Sequence, residues 1–165
     1  MYSEVHYRLW PVNPVPGRFS VELRDGATFI GADNGLRYTP YVLLLETVDL
    51  RQGVAVYSRI YPDLQRAYED LGYPKGYLND RLVHVIDELL ATPEIDVPLE
   101  VRLPSIEGPL QPKRPWVLYE FVDPQLQSLT AGQKALLRMG SVNERRIKVR
   151  LSEIRRLVTA GGSRR

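Results

Sequence analysis

The chain has 165 residues, no cysteine and a formal net charge of +2. That length suits one domain able to bury about two-thirds of its unfolded surface, and the missing cysteines exclude disulfides, thiolate metal sites and a cysteine nucleophile. No apolar run approaches the roughly 18 residues of a membrane span, and the start MYSEVHYRLWPV lacks the basic and apolar parts of a signal peptide, so the chain as written reads as soluble, either without an export signal or as a fragment.

The small net charge hides an asymmetry. Lys134 to Arg165 holds ten basic and two acidic residues, which leaves 12 basic against 18 acidic in residues 1 to 133. A basic end of this kind raises nucleic-acid and anionic-lipid binding as hypotheses.

Residues 1–17, with Pro11, Pro14 and Pro16, have no period and read as an extended lead-in anchored by Trp10. Residues 18–158 then form a single globular domain, and 159–165 a disordered basic tail. Phe19, Val21 and Leu23 alternate with polar residues, and Asp25-Gly26 precedes Ala27 to Ile30, which predicts a β-hairpin. The run Gly31 to Gly35 lacks the Lys-Ser/Thr ending of a phosphate-binding loop and reads as a turn. Thr39 with Pro40 predicts the start of a short helix with Tyr41, Leu44, Leu45 and Val48 buried. Asp49 followed by Gln52 resembles a capping box and opens a long helix. Its apolar-aromatic stripe is Tyr57, Ile60, Tyr61, Leu64, Tyr68 and Leu71, and Pro62 predicts a kink near Tyr61 or a division into two helices.

Gly72 suits a left-handed cap and Tyr73-Pro74-Lys75-Gly76 a type I turn. Asn79 then caps a helix over Asp80 to Ala91 that turns Leu82, Val85, Ile86, Leu89 and Leu90 inward. Pro93 to Pro115 reads as a loop with one strand at Leu99 to Leu103, and Trp116 to Phe121 as a second short strand. Asp123-Pro124 begins a helical turn, Thr130 to Gln133 is a capping box, and Gly140 ends that helix. Ser141 with Glu144 opens a final helix with Ile147, Leu151, Ile154 and Val158 inward. The fold class is mainly α: a compact helical domain of about five or six helices with a small β-hairpin or short strands, the last helix laid across the others.

Over YPDLQRAYEDLGYPKGYLNDRLVHVIDELLATP and YEFVDPQLQSLTAGQKALLRMGSVNERRIKVRLSEIR, the chain resembles the bacterial family known only as domain of unknown function 3014. The likeness runs from about Arg8 to Val158. Similar members carry an N-terminal membrane-spanning helix and a flexible linker, so the resemblance implies an inner-membrane-anchored domain. This chain lacks that span. The resemblance implies no activity, ligand or catalytic residue.

Candidate chemistry starts from Asp80, His84 and Glu88, which line up at four-residue steps on one helix face. Metal ligation needs further ligands, and the only other histidine is His6, so a solvated face is the plainer reading and no metal is assigned. The tyrosines near the bend either hydrogen-bond inside the protein, with Asn79, Arg81, Gln133 and Asn143 as partners, or line a groove for a peptide or glycan. Tyr68, Tyr73, Tyr77, Asn79, Asp80, Arg81, His84 and Glu88 form that candidate groove. Neither Ser58 nor Ser141 lies in a nucleophile elbow, and the carboxylate pairs Glu69-Asp70, Asp87-Glu88 and Glu120 with Asp123 each suit a helix surface or cap. Arg145, Arg146, Lys148, Arg150, Arg155 and Arg156 form a candidate anion-binding flank, without interleaved aromatics for base stacking. The expectation is a non-catalytic interaction domain of a bacterial envelope-associated protein, with a protein partner and no cofactor. An enzyme using a tyrosine-lined cleft with Asp80, His84 and Glu88, or a basic helix on anionic lipid or nucleic acid, is the alternative; lipid stands ahead of nucleic acid.

Overall fold

The computed structural model describes residues 15–105 and 117–162. Most of the lead-in, Trp116 with much of the proline-rich segment, and the last three residues of the tail lie outside the described residues. Among the described residues six helices and four short strands follow one another. The chain is mainly α with short strands, as its sequence predicts.

The hairpin pairs β1, Val21–Arg24, with β2, Ala27–Ile30, in antiparallel register. Asp25 and Gly26 both take positive φ, 49° and 80°, which a two-residue primed turn requires. β3, Val101–Arg102, pairs antiparallel with β4, Glu120–Phe121. An antiparallel bridge from Phe29 to Glu100 and a hydrogen bond from Ile30 N to Leu99 O (2.9 Å) hold the two two-stranded sheets side by side.

The helices are α1, Asn34–Thr47; α2, Leu50–Asp70; α3, Leu78–Leu90; α4, Pro124–Ser128; α5, Ala131–Arg138; and α6, Ser141–Gly162. Asp49 caps α2 by accepting from Arg51 N and Gln52 N. Gly72 is left-handed after it, and Gly76 N donates to Tyr73 O across the expected turn. Asp123 caps α4, and Thr130 with Gln133 forms the capping box of α5.

Four local expectations need correction. α1 begins at Asn34, not at Pro40, and Thr39 Oγ1 donates back to Gly35 O (3.1 Å) within the helix instead of capping it. Pro40 is tolerated inside α1 because it sits on the exposed side, where water can take the freed carbonyl of Leu36. Pro62 likewise lies exposed inside α2, which is one helix and is not divided into two. α3 starts at Leu78 with Tyr77 at its cap position, so Asn79 belongs to the first turn. At the start of α6 Ser141 stands beside the Asp96 carboxylate, and Glu144 is buried beside Lys148.

The core also sits elsewhere than the aromatic stripe suggests. Val101, Phe121, Leu126 and Leu137 form the buried cluster, with Val21, Ile30, Ile95, Leu99, Tyr119 and Leu129 packed against it. The strands therefore stand at the centre of the hydrophobic core. α6 is the common support of the helices, packing against α1, α2, α3 and α5. Val158 is buried and Ile147, Leu151 and Ile154 are half-buried, as the sequence predicts.

Candidate functional site

Three surfaces carry the residues that the sequence singles out: the α2-α3 hairpin, the basic flank of α6 and the outer face of α1.

At the hairpin the polar groups mostly turn toward each other. Tyr57 stands edge-on to Tyr61, with ring centroids 5.7 Å apart, and its hydroxyl donates to Asn79 Oδ1 (3.4 Å). The Tyr61 hydroxyl donates to Gln65 Oε1 (3.1 Å), which also accepts from Leu78 N (2.8 Å). Gln65 Nε2 donates to Gly76 O and to Glu69 Oε1, both at 2.8 Å. One glutamine of α2 thus closes the bend onto the start of α3. The sequence reading missed Gln65, since no rule for caps or turns selects a mid-helix glutamine; its position one turn beyond Tyr61 was the available signal. Of the proposed tyrosine partners, Asn79 serves. Gln133 donates instead to Glu88 O (2.9 Å), and Asn143 to Gly35 O (2.7 Å) and Met139 O (3.1 Å).

Tyr68 and Tyr73 stack at 4.7 Å and 7°, with Tyr68 half-buried and Tyr73 exposed. Tyr77, Asp80, Arg81 and His84 are exposed, while Asn79 and Glu88 are half-buried. Among the described residues no three histidines, aspartates or glutamates are placed to hold a metal. The carboxylate of α3 that finds a cation is Asp87: Arg155 Nη2 donates to its Oδ2 (3.0 Å) and Arg155 Nε to its Oδ1 (2.5 Å). These bonds hold the Asp87 carboxyl below the usual carboxylate range and raise Arg155.

The basic flank of α6 is largely occupied. Arg145 Nη1 donates to Asp96, at 3.0 and 3.1 Å to its two oxygens. Arg146 grips Glu46 of α1 with two 2.7 Å bonds. Arg150 reaches Glu153 (2.9 Å) and Val48 O (2.5 Å). Lys148 donates to Thr92 O (2.5 Å) and Glu94 Oε1 (3.2 Å). It also forms an ion pair with Glu144, 3.0 Å from Nζ to Oε1, and that buried oxygen has no further partner among the described residues. Burial raises the Glu144 carboxyl, against the pull of Lys148. Of the six candidate cations only Arg156 shows no side-chain partner among the described residues. Individually such half-exposed pairs contribute little. Together they tie α6 to α1, to α3 and to the segment after α3.

The third surface was not anticipated. Counting α1 from Asn34 turns Tyr38, Val42 and Leu45 inward, and it leaves Leu36, Pro40, Leu43 and Leu44 on the opposite side at helical spacing. Leu36, Leu43 and Leu44 keep 69%, 46% and 64% of their surface exposed. Leu44 and Val48, expected inside, are therefore outside, as Tyr41 is at its edge. The misplaced start at Pro40 caused the error; Asn34, buried and donating to Ser20 O and Gly31 O, was the missed signal. The aromatic stripe of α2 shows the same excess: Tyr57, Tyr61, Leu64 and Tyr68 are half-buried, whereas Ile60 and Leu71 stay exposed.

No described helix is long and apolar enough to cross a membrane. No curated protein and no solved structure matches the chain. The model of the family described as "Protein of unknown function (DUF3014)" matches residues 2–155, nearly the whole chain. The chain therefore belongs to the DUF3014 family.

Proposed function

We propose that this chain is a non-catalytic interaction domain, and that the outer face of α1 is where another protein docks. The carrying observation is the uncovered row of Leu36, Leu43 and Leu44, because a helix apolar on both sides serves folding with only one of them. Charge supports the reading. Both charged side chains of α1 turn to internal partners, Arg37 to Pro16 O (2.9 Å) and Gly17 O (3.2 Å) and Glu46 to Arg146, so nothing charged competes with an apolar partner surface. A bacterial origin and association with the cell envelope belong to the proposal and rest on the family resemblance alone.

The basic flank supports lipid or nucleic-acid binding less well, since five of its six cations already hold internal acceptors. Asp80 and His84 stand on the exposed side of α3, which lends an enzyme reading no enclosed centre.

A photo-crosslinking residue at Leu43 tests the proposal in cells of the native organism. A discrete cross-linked protein, lost when Leu36 and Leu44 are both changed to glutamate and absent with the crosslinker at exposed Ser152, is the expected result. Equal products from both positions, or none, would sink it.

A further inference from the structure

A cleft of about 280 Å³ opens between the end of β2, residues 95–99 and the α5-α6 turn. Its apolar wall is Ile30, Val97, Leu99 and Leu137, and its charged groups are Arg24, Asp96 and Arg138. Two of these three are neutralised from within. Arg24 pairs with Glu22, and Asp96 accepts from Arg145; with the Ser141 hydroxyl beside it, the Asp96 carboxyl is held below the usual range.

Arg138 is different. Its guanidinium lies over the Phe121 ring, 5.0 Å from the centroid, and its Nη2 donates to Tyr119 O (3.1 Å). No carboxylate pairs with it among the described residues. A half-buried cation held against an aromatic ring has lost part of its water and gained no counter-ion. Burial lowers it from the ordinary arginine value. A guanidinium has five donors, of which one is used among the described residues, and its planar fork matches a carboxylate.

We infer that this cleft binds a carboxylate with a short apolar body, the anion pairing with Arg138 and the body lying on Ile30, Val97, Leu99 and Leu137. The carboxylate comes either from a free aliphatic acid or from the C-terminus of a peptide, and the volume admits only a small group in both cases. The inference is independent of the docking face on α1, from which it differs in residues and in chemistry.

The test is a titration of the isotopically labelled full chain followed by amide NMR shifts. The probes are hexanoate, hexanol, and a tripeptide ending in Val-Leu with a free or an amidated C-terminus. Saturable shifts at Gly31, Gly35, Gly140 and Ser141 are expected with hexanoate, the free-ended peptide or both, and not with hexanol or the amide. Hexanoate alone identifies a free acid as the ligand type, and the peptide alone a chain end. Arg138→Gln should weaken the response by about tenfold or more, as expected for a charged hydrogen bond lost. If that variant fails to fold, Ala32→Trp, at the exposed rim, closes the cleft with Arg138 in place and should abolish the shifts. No saturable shift with either carboxylate, equal shifts with the uncharged probes, or undiminished binding by a folded variant would overturn the inference.

Discussion

The sheet end and the α2-α3 hairpin are held by different forces. At the sheet end, four strands, α4 and α5 enclose side chains that water does not reach, Val101 and Phe121 above all. In the hairpin no residue from Arg51 to Val85 is fully buried, and the bend is fastened by Gln65, Tyr57 and stacked aromatic rings. Burial of apolar area scales with the contact made, whereas a half-exposed hydrogen bond nets little against water. The sheet end should therefore set global stability, and the hairpin should open locally below that limit.

Breaking the sheet end gives the largest effect. Phe121→Ala removes a ring packed among Val101, Leu126 and Leu137 and should cost about 3–5 kcal/mol by chemical denaturation. A loss below about 1 kcal/mol would mean that the core lies elsewhere. Asn34→Ala comes next. Asn34 Oδ1 accepts from Ser20 N (3.1 Å), and Nδ2 donates to Ser20 O (2.6 Å) and Gly31 O (2.9 Å), which seats α1 against the hairpin turn. Its loss takes the acceptor from Ser20 N at roughly 1–3 kcal/mol, while Ser20 O and Gly31 O keep their backbone donors, Gly31 N and Asn34 N. Gln65→Ala should cost only about 1–2 kcal/mol. Its distinguishing sign is faster hydrogen exchange at the Leu78 amide with β3 and β4 unchanged. Equal acceleration in both regions would erase the contrast between them.

The smallest effects are set by pH. Asp87 and Asp96 are held below their usual range, so the unfolded chain binds more protons, and their support is present at neutral pH and lost as pH falls through the lowered folded values. Glu144 runs the other way. Its folded carboxyl is raised, so its contribution is fullest below the ordinary glutamate range and declines as pH rises through the raised value. Asp87→Asn should flatten the acid limb of a stability-against-pH curve. Glu144→Gln should remove the decline on the neutral side while staying within about 1 kcal/mol of the wild type at pH 7, because Lys148 keeps Glu94 and Thr92 O. An unchanged curve for both would show that these ion pairs are silent.

How much of this was legible in the sequence follows the same division. Turn and cap chemistry is local, so Asp25-Gly26, Asp49, Gly72, Asp123 and the Thr130-Gln133 box read correctly from neighbours alone. Errors arise where a distant contact decides. Asn34 looks like a loop residue until Ser20 is beside it. Arg145, Arg146 and Arg155 look free until Asp96, Glu46 and Asp87, from 49 to 100 residues away, are brought to them. The Tyr57 stripe suggests a core because periodicity reports amphipathicity and not depth. No local pattern marks the cleft at Arg138, which requires β2, residues 95–99 and α5 to meet.

α6, against which α1, α2, α3 and α5 all pack, is made after all four of them. Translation at about 5–20 residues per second leaves the first three helices waiting several seconds for their seat. During that interval their apolar sides are open to whatever else is nearby. A nascent chain stopped before Ser141 should therefore be sensitive to proteases across α1 to α3, and acquire resistance only when α6 has cleared the exit tunnel.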